Sequence, residues 1–191
     1  MIALSENHGD GQKTVVVIGN GMVGQRFCER LVEFDPDGRY RIVTFCEEPR
    51  SAYDRVGLTS FFAHRDAEKL MLARRNWYAE NCVELHVGDR ATHIDREQRV
   101  IRSEQGVEIA YDYLVLATGS FPFVPPVPGI DKPGVFVYRT IEDLQNIIRY
   151  AAHSRRCAVA QPCGLSRFGM PTRNSPGRES AVSRSGGHSQ C

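Results

Sequence analysis

The sequence has no run of about 18 apolar residues, so it offers no segment able to cross a membrane as a helix. Met1 to Gln12 carry acids, a histidine and glycines, without the basic start and apolar core of a secretory leader. A cytoplasmic protein with no membrane partner is therefore expected. Charge of one sign is also lacking: 24 lysines and arginines face 23 aspartates and glutamates, a balance that gives nucleic acid or an anionic surface nothing to hold. Six cysteines, at 28, 46, 82, 157, 163 and 191, form no C-x-x-C pair, which argues against zinc or iron–sulfur sites held by closely spaced thiols. They are expected as free thiols, with Cys46 packed at a strand end rather than redox-active. A chain of 191 residues is enough for about one domain.

What is present is an apolar strand running into a glycine-rich turn: Val-Val-Val-Ile-Gly-Asn-Gly-Met-Val-Gly over 15–24. This G-x-G-x-x-G opens a dinucleotide-binding βαβ unit, and each glycine has a task. Gly19 turns the chain sharply off the strand, Gly21 admits a pyrophosphate close to the backbone, and Gly24 lets the next helix pack on the sheet. Phosphates then meet the unpaired N–H groups of that helix, which Met22 begins. Met22, Val23, Phe27, Leu31 and Phe34 recur at helical spacing until Asp35-Pro36-Asp37-Gly38 breaks the pattern. Tyr40 to Phe45 reads as a second strand, ending in Cys46-Glu47-Glu48. Glu47 lies 23 positions beyond Gly24, near the ~20-residue offset of a ribose-binding carboxylate, which accepts hydrogen bonds from a diol and repels a 2′-phosphate. Glu47 is the first choice and Glu48 the neighbour left open; the alternative is a pair of solvated loop acids.

Further on, Ser60 to His64 reads as a short helix and Asp66 to Tyr78 as a longer one, with Leu70, Leu72, Trp77 and Tyr78 facing a core. Val83 to Val87 alternates as a strand. Residues 90–111 read as an antiparallel meander turned by Arg96-Glu97-Gln98. The apolar run before Ala117-Thr118-Gly119 reads as a buried parallel strand whose carboxyl end meets a ligand. A proline-rich loop, Phe121 to Pro128, leads to a helix over Thr140 to Ala152, where Thr140 and Asp143 offer a capping box.

Five stretches carry a resemblance: 17–24, Phe-Cys-Glu-Glu-Pro-Arg (45–50), Ala-Tyr-Asp-Arg-Val (52–56), Leu-Ala-Thr-Gly-Ser (116–120) and Val-Tyr-Arg-Thr-Ile-Glu-Asp-Leu (137–144). Together they resemble the FAD/NAD-dependent reductases of the pyridine nucleotide–disulfide oxidoreductase superfamily. Within it, they look like the amino-terminal part of the assimilatory NAD(P)H-dependent nitrite reductase large subunit. The resemblance covers about residues 14–159. It implies an α/β, Rossmann-like FAD-binding fold with a parallel sheet and an inserted antiparallel meander. It also implies FAD as the cofactor, with Gly19, Gly21 and Gly24 at the pyrophosphate and Glu47 on the adenosine ribose. Arg55 and Arg139 would be cations toward the phosphates or flavin, with a surface salt bridge as the alternative for each. Ala91 would touch the adenine through its backbone, and Thr118 and Gly119 would line the flavin end. Residues 47–81 lack the cysteine pair of the disulfide reductases, so thiol–disulfide chemistry is not expected.

The family pattern stops near residue 160. Arg156 to Val159 looks like the first strand of a second, NAD(P)H-binding unit, but no G-x-G-x-x-G follows. Residues 160–191 hold six serines, five glycines, three prolines and four arginines against one acid, Glu179, and are expected as a disordered basic tail. Such a switch at a core strand reads as a shifted or interrupted frame, testable against the coding DNA. The expected organisation is a flexible N-terminus at 1–13, a partial FAD-binding domain at 14–159 and the tail at 160–191. Siroheme, the 4Fe-4S cluster and the NAD(P)H site belong only to full-length relatives, and the incomplete sheet is expected to self-associate through an unpaired edge. Three functions stay open: a flavoprotein segment relaying electrons from NAD(P)H through FAD to metal centres, a nucleotide-binding module without turnover, and a fragment without function.

Overall fold

A computed structural model describes residues 11–74, 76–161 and 164–169. Strand β1 (Lys13–Ile18) starts one residue before the expected domain boundary, and all of it but Lys13 is buried. Helix α1 (Met22–Phe34) ends where Asp35 and Pro36 interrupt it, and the Asp35 carboxylate accepts from Tyr40 N–H at 2.8 Å, which fixes the turn into β2 (Tyr40–Cys46). β1 and β2 pair in parallel, Lys13 opposite Tyr40 through Ile18 opposite Phe45.

Two short pieces follow, a 3₁₀ turn over Val56–Ser60 and α2 (Phe61–His64). The helix expected from Asp66 to Tyr78 is instead two separate turns, a 3₁₀ segment over Ala67–Leu70 and α3 (Trp77–Glu80). The reason is tertiary: Met71 makes a β-bridge with Tyr53, Asp54 N–H donates to Leu70 O at 2.8 Å, and Leu72 N–H donates to Ala52 O at 3.1 Å. Those backbone groups serve the 52–54 loop and cannot also continue a helix.

β3 (Val83–Val87) adds in parallel to β2. The meander is β4 (Ala91–Asp95), β5 (Val100–Ser103) and β6 (Glu108–Ala110), antiparallel throughout. β7 (Tyr113–Leu116) returns to lie parallel to β1 on its other side, giving a sheet of order β3-β2-β1-β7. Among the described residues no strand pairs with the outer side of β7. This is an α/β, Rossmann-type fold with an inserted antiparallel sheet.

Alternation along the parallel strands separates two cores. Val15, Val17 and Ile42 face α1 and α3, packing with Cys28, Tyr78 and Val83. Val16, Ile18, Val43 and Phe45 face the meander, which contributes Ile101 at full burial. Parallel strands covered on both faces read as continuous apolar runs for this reason.

Helix α4 (Ile141–Ala151) begins with the expected box: Asp143 Oδ2 accepts from Thr140 N–H at 2.9 Å, and Thr140 Oγ1 accepts from Asp143 N–H at 3.1 Å. The chain divides into two compact units at Gln145–Asn146. In the second, β8 (Arg156–Gln161) pairs antiparallel with β9 (Gly164–Gly169). The strand expected to open a second nucleotide-binding unit is thus half of a hairpin, and β9 occupies residues assigned by composition to the tail. Residues 160 and 161 of that tail belong to β8, while 162–163, 170–191 and the first ten residues lie outside the described residues.

Candidate functional site

Where β1, β2 and β7 end, the first unit holds an open cavity of about 460 Å³. Its wall includes Gly19, Gly21, Met22, Glu47, Glu48, Arg55, Thr118, Gly119 and Arg139, which the sequence separates by up to 120 positions. Parallel sheets put ligands at the carboxyl ends of their strands, and this cavity follows that rule.

The three glycines differ in what they face. Gly19 has φ +106°, and a Cβ there would lie 2.3 Å from the Ala117 carbonyl oxygen. A Cβ on Gly24 would lie 1.9 Å from the Gly19 carbonyl oxygen, so Gly24 faces the turn itself and not the cavity. A Cβ on Gly21 would meet nothing within 4 Å. Gly19 and Gly24 are therefore required by the protein's own packing, and Gly21 leaves room for a ligand.

Beyond Gly21, α1 makes its first intrahelical bond from Gln25 N–H to Gly21 O, 2.9 Å. The N–H groups of its first turn have no acceptor in the helix, and no acid stands in that turn to occupy them. Such a helix start, 13 residues long here, draws anions through its N–H groups and its dipole.

The two acids after β2 have different surroundings. Glu48 is engaged on both oxygens: Tyr53 Oη donates to Oε2 at 2.7 Å, and the Arg55 guanidinium pairs with Oε1. Glu47 is 44% exposed in its side chain, and its nearest cation, Arg90 Nε, stands 3.8 Å away. Glu47 is thus the carboxylate available to a ligand, and Glu48 is an anchor for Arg55. Burial works against the Arg55 charge, and Glu48 more than restores it, leaving that guanidinium above its ordinary range. Arg55 also donates to Tyr53 Oη at 3.1 Å and to the Arg139 carbonyl at 3.2 Å. Arg55 is thus both paired with Glu48, in a part-buried ion pair, and part of the cavity wall. The Arg139 backbone N–H donates to Asp143 Oδ2 at 3.1 Å, and its guanidinium lies over Gly119.

Ala91 stands outside the cavity wall, at the start of β4. Sequence reasoning missed Tyr53 and Asn20. Asn20 Oδ1 accepts from Ala52 N–H at 2.8 Å and from Tyr78 Oη at 3.0 Å, tying the glycine turn to the 52–54 loop and to α3. No sequence signal marks that long-range role, because the position is a variable one inside the glycine motif.

Neither Cys46 nor Ser60 is arranged as a nucleophile. Burial pushes the Cys46 thiol up to about 11, and it donates to Arg50 O at 3.2 Å, so it is not a thiolate near neutral pH. Ser60 Oγ lies 3.2 Å from His64 Nε2, but Asp66 N–H donates to His64 Nδ1. That bond places the proton of the neutral ring on Nε2, so the imidazole is not positioned to deprotonate Ser60. Among the described residues there is no cluster of metal-ligating side chains, and no helix is long and apolar enough to cross a membrane.

A glycine turn feeding an open helix start, with a carboxylate at the next strand tip, is the arrangement of the Rossmann-type fold. The sequence profile of the pyridine nucleotide-disulphide oxidoreductases matches residues 13–160, and the chain belongs to that family. It is 48% identical over 145 residues to the large subunit of nitrite reductase (NADH) from Escherichia coli, covering 76% of this chain and 17% of that protein. It is 40% identical over 160 residues to nitrite reductase [NAD(P)H] from Emericella nidulans, covering 81% of this chain and 14% of that protein. The chain therefore spans less than a fifth of the length of these relatives. Among solved structures, a ferredoxin reductase from Rhodopseudomonas palustris superposes with a TM-score of 0.68 at 28% identity, covering 74% of this chain and 35% of that one.

Proposed function

We propose that this chain forms the FAD-binding segment of an NAD(P)H-dependent flavoprotein oxidoreductase of nitrite-reductase large-subunit type. The observation that carries the reading is the convergence in one cavity of Gly21, the open start of α1, Glu47 and Arg139. The fit is chemical as well as spatial. Gly21 leaves space where a pyrophosphate would approach, and the first-turn N–H groups of α1 supply donors to it. Glu47 supplies an acceptor for a ribose diol. Arg139 supplies a cation at the Thr118–Gly119 end, and Glu48 holds Arg55 in the wall between them.

When bound, FAD accepts a hydride and passes electrons on one at a time; the side chains bind and orient it and need donate no proton. We therefore name no catalytic residue. In the longer protein the electrons would come from NAD(P)H and leave to siroheme and 4Fe-4S centres, none of which this segment holds by our reading. A nucleotide-binding module without turnover is the second reading, since the groups gathered in the cavity are ones that bind and orient a ligand. An absorbance spectrum of the purified chain followed by titration with FAD tests the first claim. Flavin bands, or saturable quenching at one FAD per chain, supports it; absence of both at high FAD concentration overturns it. Oxidation of NAD(P)H by the loaded chain would overturn the module reading.

A further inference from the structure

Asn20, between Gly19 and Gly21, belongs to the cavity wall and is 6% exposed. Ala52 N–H can only donate, so the amide atom that meets it at 2.8 Å is Oδ1. Tyr78 Oη adds a second hydrogen bond to the same oxygen at 3.0 Å. Nδ2 is left buried and without a partner among the described residues. An unpaired buried donor lowers stability, so what fixes this side chain is its oxygen. The bond to Ala52 reaches the loop that carries Arg55. Backbone pairing holds the far side of that loop, with Asp54 N–H on Leu70 O at 2.8 Å and Leu72 N–H on Ala52 O at 3.1 Å. Next to Ala52, Tyr53 is 3% exposed; its hydroxyl donates to Glu48 Oε2 at 2.7 Å and accepts from Arg55 Nη1 at 3.1 Å. The Arg55 guanidinium carbon lies 5.0 Å from the centre of the Tyr53 ring. Arg55 is thus held by Tyr53, by Glu48 and by the Arg139 carbonyl, the last two from segments that follow β2 and β7, the strands flanking β1. Arg55 and Gly21 share one cavity, and the Asn20–Ala52 bond joins their segments directly.

We propose that Asn20 is a positioning residue for Arg55. Through Ala52 it sets the place of the Arg55 guanidinium relative to the start of α1, so that a cation and the first-turn N–H groups engage the same diphosphate. Donors fixed beforehand bind more tightly, because the ligand need not order them on arrival. Asn20 acts through its neighbour and not by touching the ligand. Tyr78 steadies the amide, but the bond to Ala52 carries the effect. The inference rests on reading the cavity as a dinucleotide site and adds to it a residue that links two of its walls.

The test is a double-mutant cycle on the full chain with N20A, R55Q and N20A/R55Q. Each is titrated calorimetrically with FAD and with ADP, which carries the diphosphate without the flavin. Each single substitution should weaken FAD binding about tenfold, the scale of one charge-assisted contact. The double variant should be weakened to the same extent, since Asn20 has nothing to position once the Arg55 charge is gone; independent effects would multiply to about a hundredfold. Y78F, which keeps the bond to Ala52, should bind FAD within about twofold of the unaltered chain. Circular dichroism checks folding, and N20S, whose hydroxyl is too short to reach Ala52, takes the place of N20A if N20A does not fold. Unchanged affinity in the Asn20 variant, or losses that multiply, overturn the proposal, because Asn20 then only supports the turn. FAD binding with multiplied losses overturns positioning and leaves the flavin reading in place. Coupled losses with ADP, where FAD does not bind, do the reverse, and binding of neither ligand overturns both.

Discussion

The glycines of the β1–α1 turn separate folding from binding at the level of single atoms. Gly19→Ala places a methyl group in backbone contact at a positive φ, and Gly24→Ala drives one into the Gly19 carbonyl. Each is expected to cost about 3 kcal/mol of stability or more, the scale of strained backbone combined with overpacking. Gly21 has φ −98°, an ordinary value for alanine, and open space at its Cβ. Gly21→Ala should therefore change stability by no more than about 0.5 kcal/mol. It should weaken FAD binding about tenfold, equivalent to about 1.4 kcal/mol. Urea denaturation and FAD titration of the three variants read the two effects separately; equal destabilisation by all three would overturn the division. At this scale the sequence shows the motif and the position of Glu47, because both are local. It does not show that Glu48 anchors Arg55 or that Asn20 reaches Tyr78, because those partners are brought together only by the fold.

Among the elements, β7 depends on one residue just before it. Asp112 Oδ2 accepts from Thr14 N–H at 2.8 Å, and Oδ1 accepts from Lys13 Nζ at 3.0 Å, so a single carboxylate fastens the start of β7 to the start of β1. The Thr14 N–H first, and the Lys13 ammonium with it, hold the Asp112 carboxyl below the ordinary aspartate range. Folded protein thus binds this proton less readily than unfolded chain. The stabilisation is complete above the unfolded-state value of about 3.9 and is lost as pH falls through the lower folded value. Asp112→Asn should be less stable than the unaltered chain at pH 7, and the gap should close in acid below that value. Denaturant melts across pH measure it; a gap independent of pH would remove Asp112 from this role. Elements governed by strand alternation and turn residues, such as the meander, were legible in the sequence. The span 66–78 was not, since a helical pattern gave way to backbone pairing between Met71 and Tyr53, residues that no short window compares.

At the scale of the whole molecule, the sheet formed by the described residues ends on β7, with Tyr113 and Leu116 more than half exposed. The unpaired backbone N–H and C=O groups of such an edge are a template for another chain, and exposed apolar side chains beside them favour the contact. Self-association that grows with concentration is expected in sedimentation velocity, and Leu116→Lys should reduce it, since a charge on an edge strand opposes pairing. Unchanged association in that variant would place the contact elsewhere. The order of the sheet also sets a schedule. β1 lies between β2, made at once after α1, and β7, whose anchoring contact joins residues 98 apart, Thr14 and Asp112. At about 5–20 residues per second of synthesis, on the order of ten seconds separate the two. For that interval a nascent chain presents one side of a strand that the finished fold buries almost entirely to whatever else is emerging from ribosomes nearby.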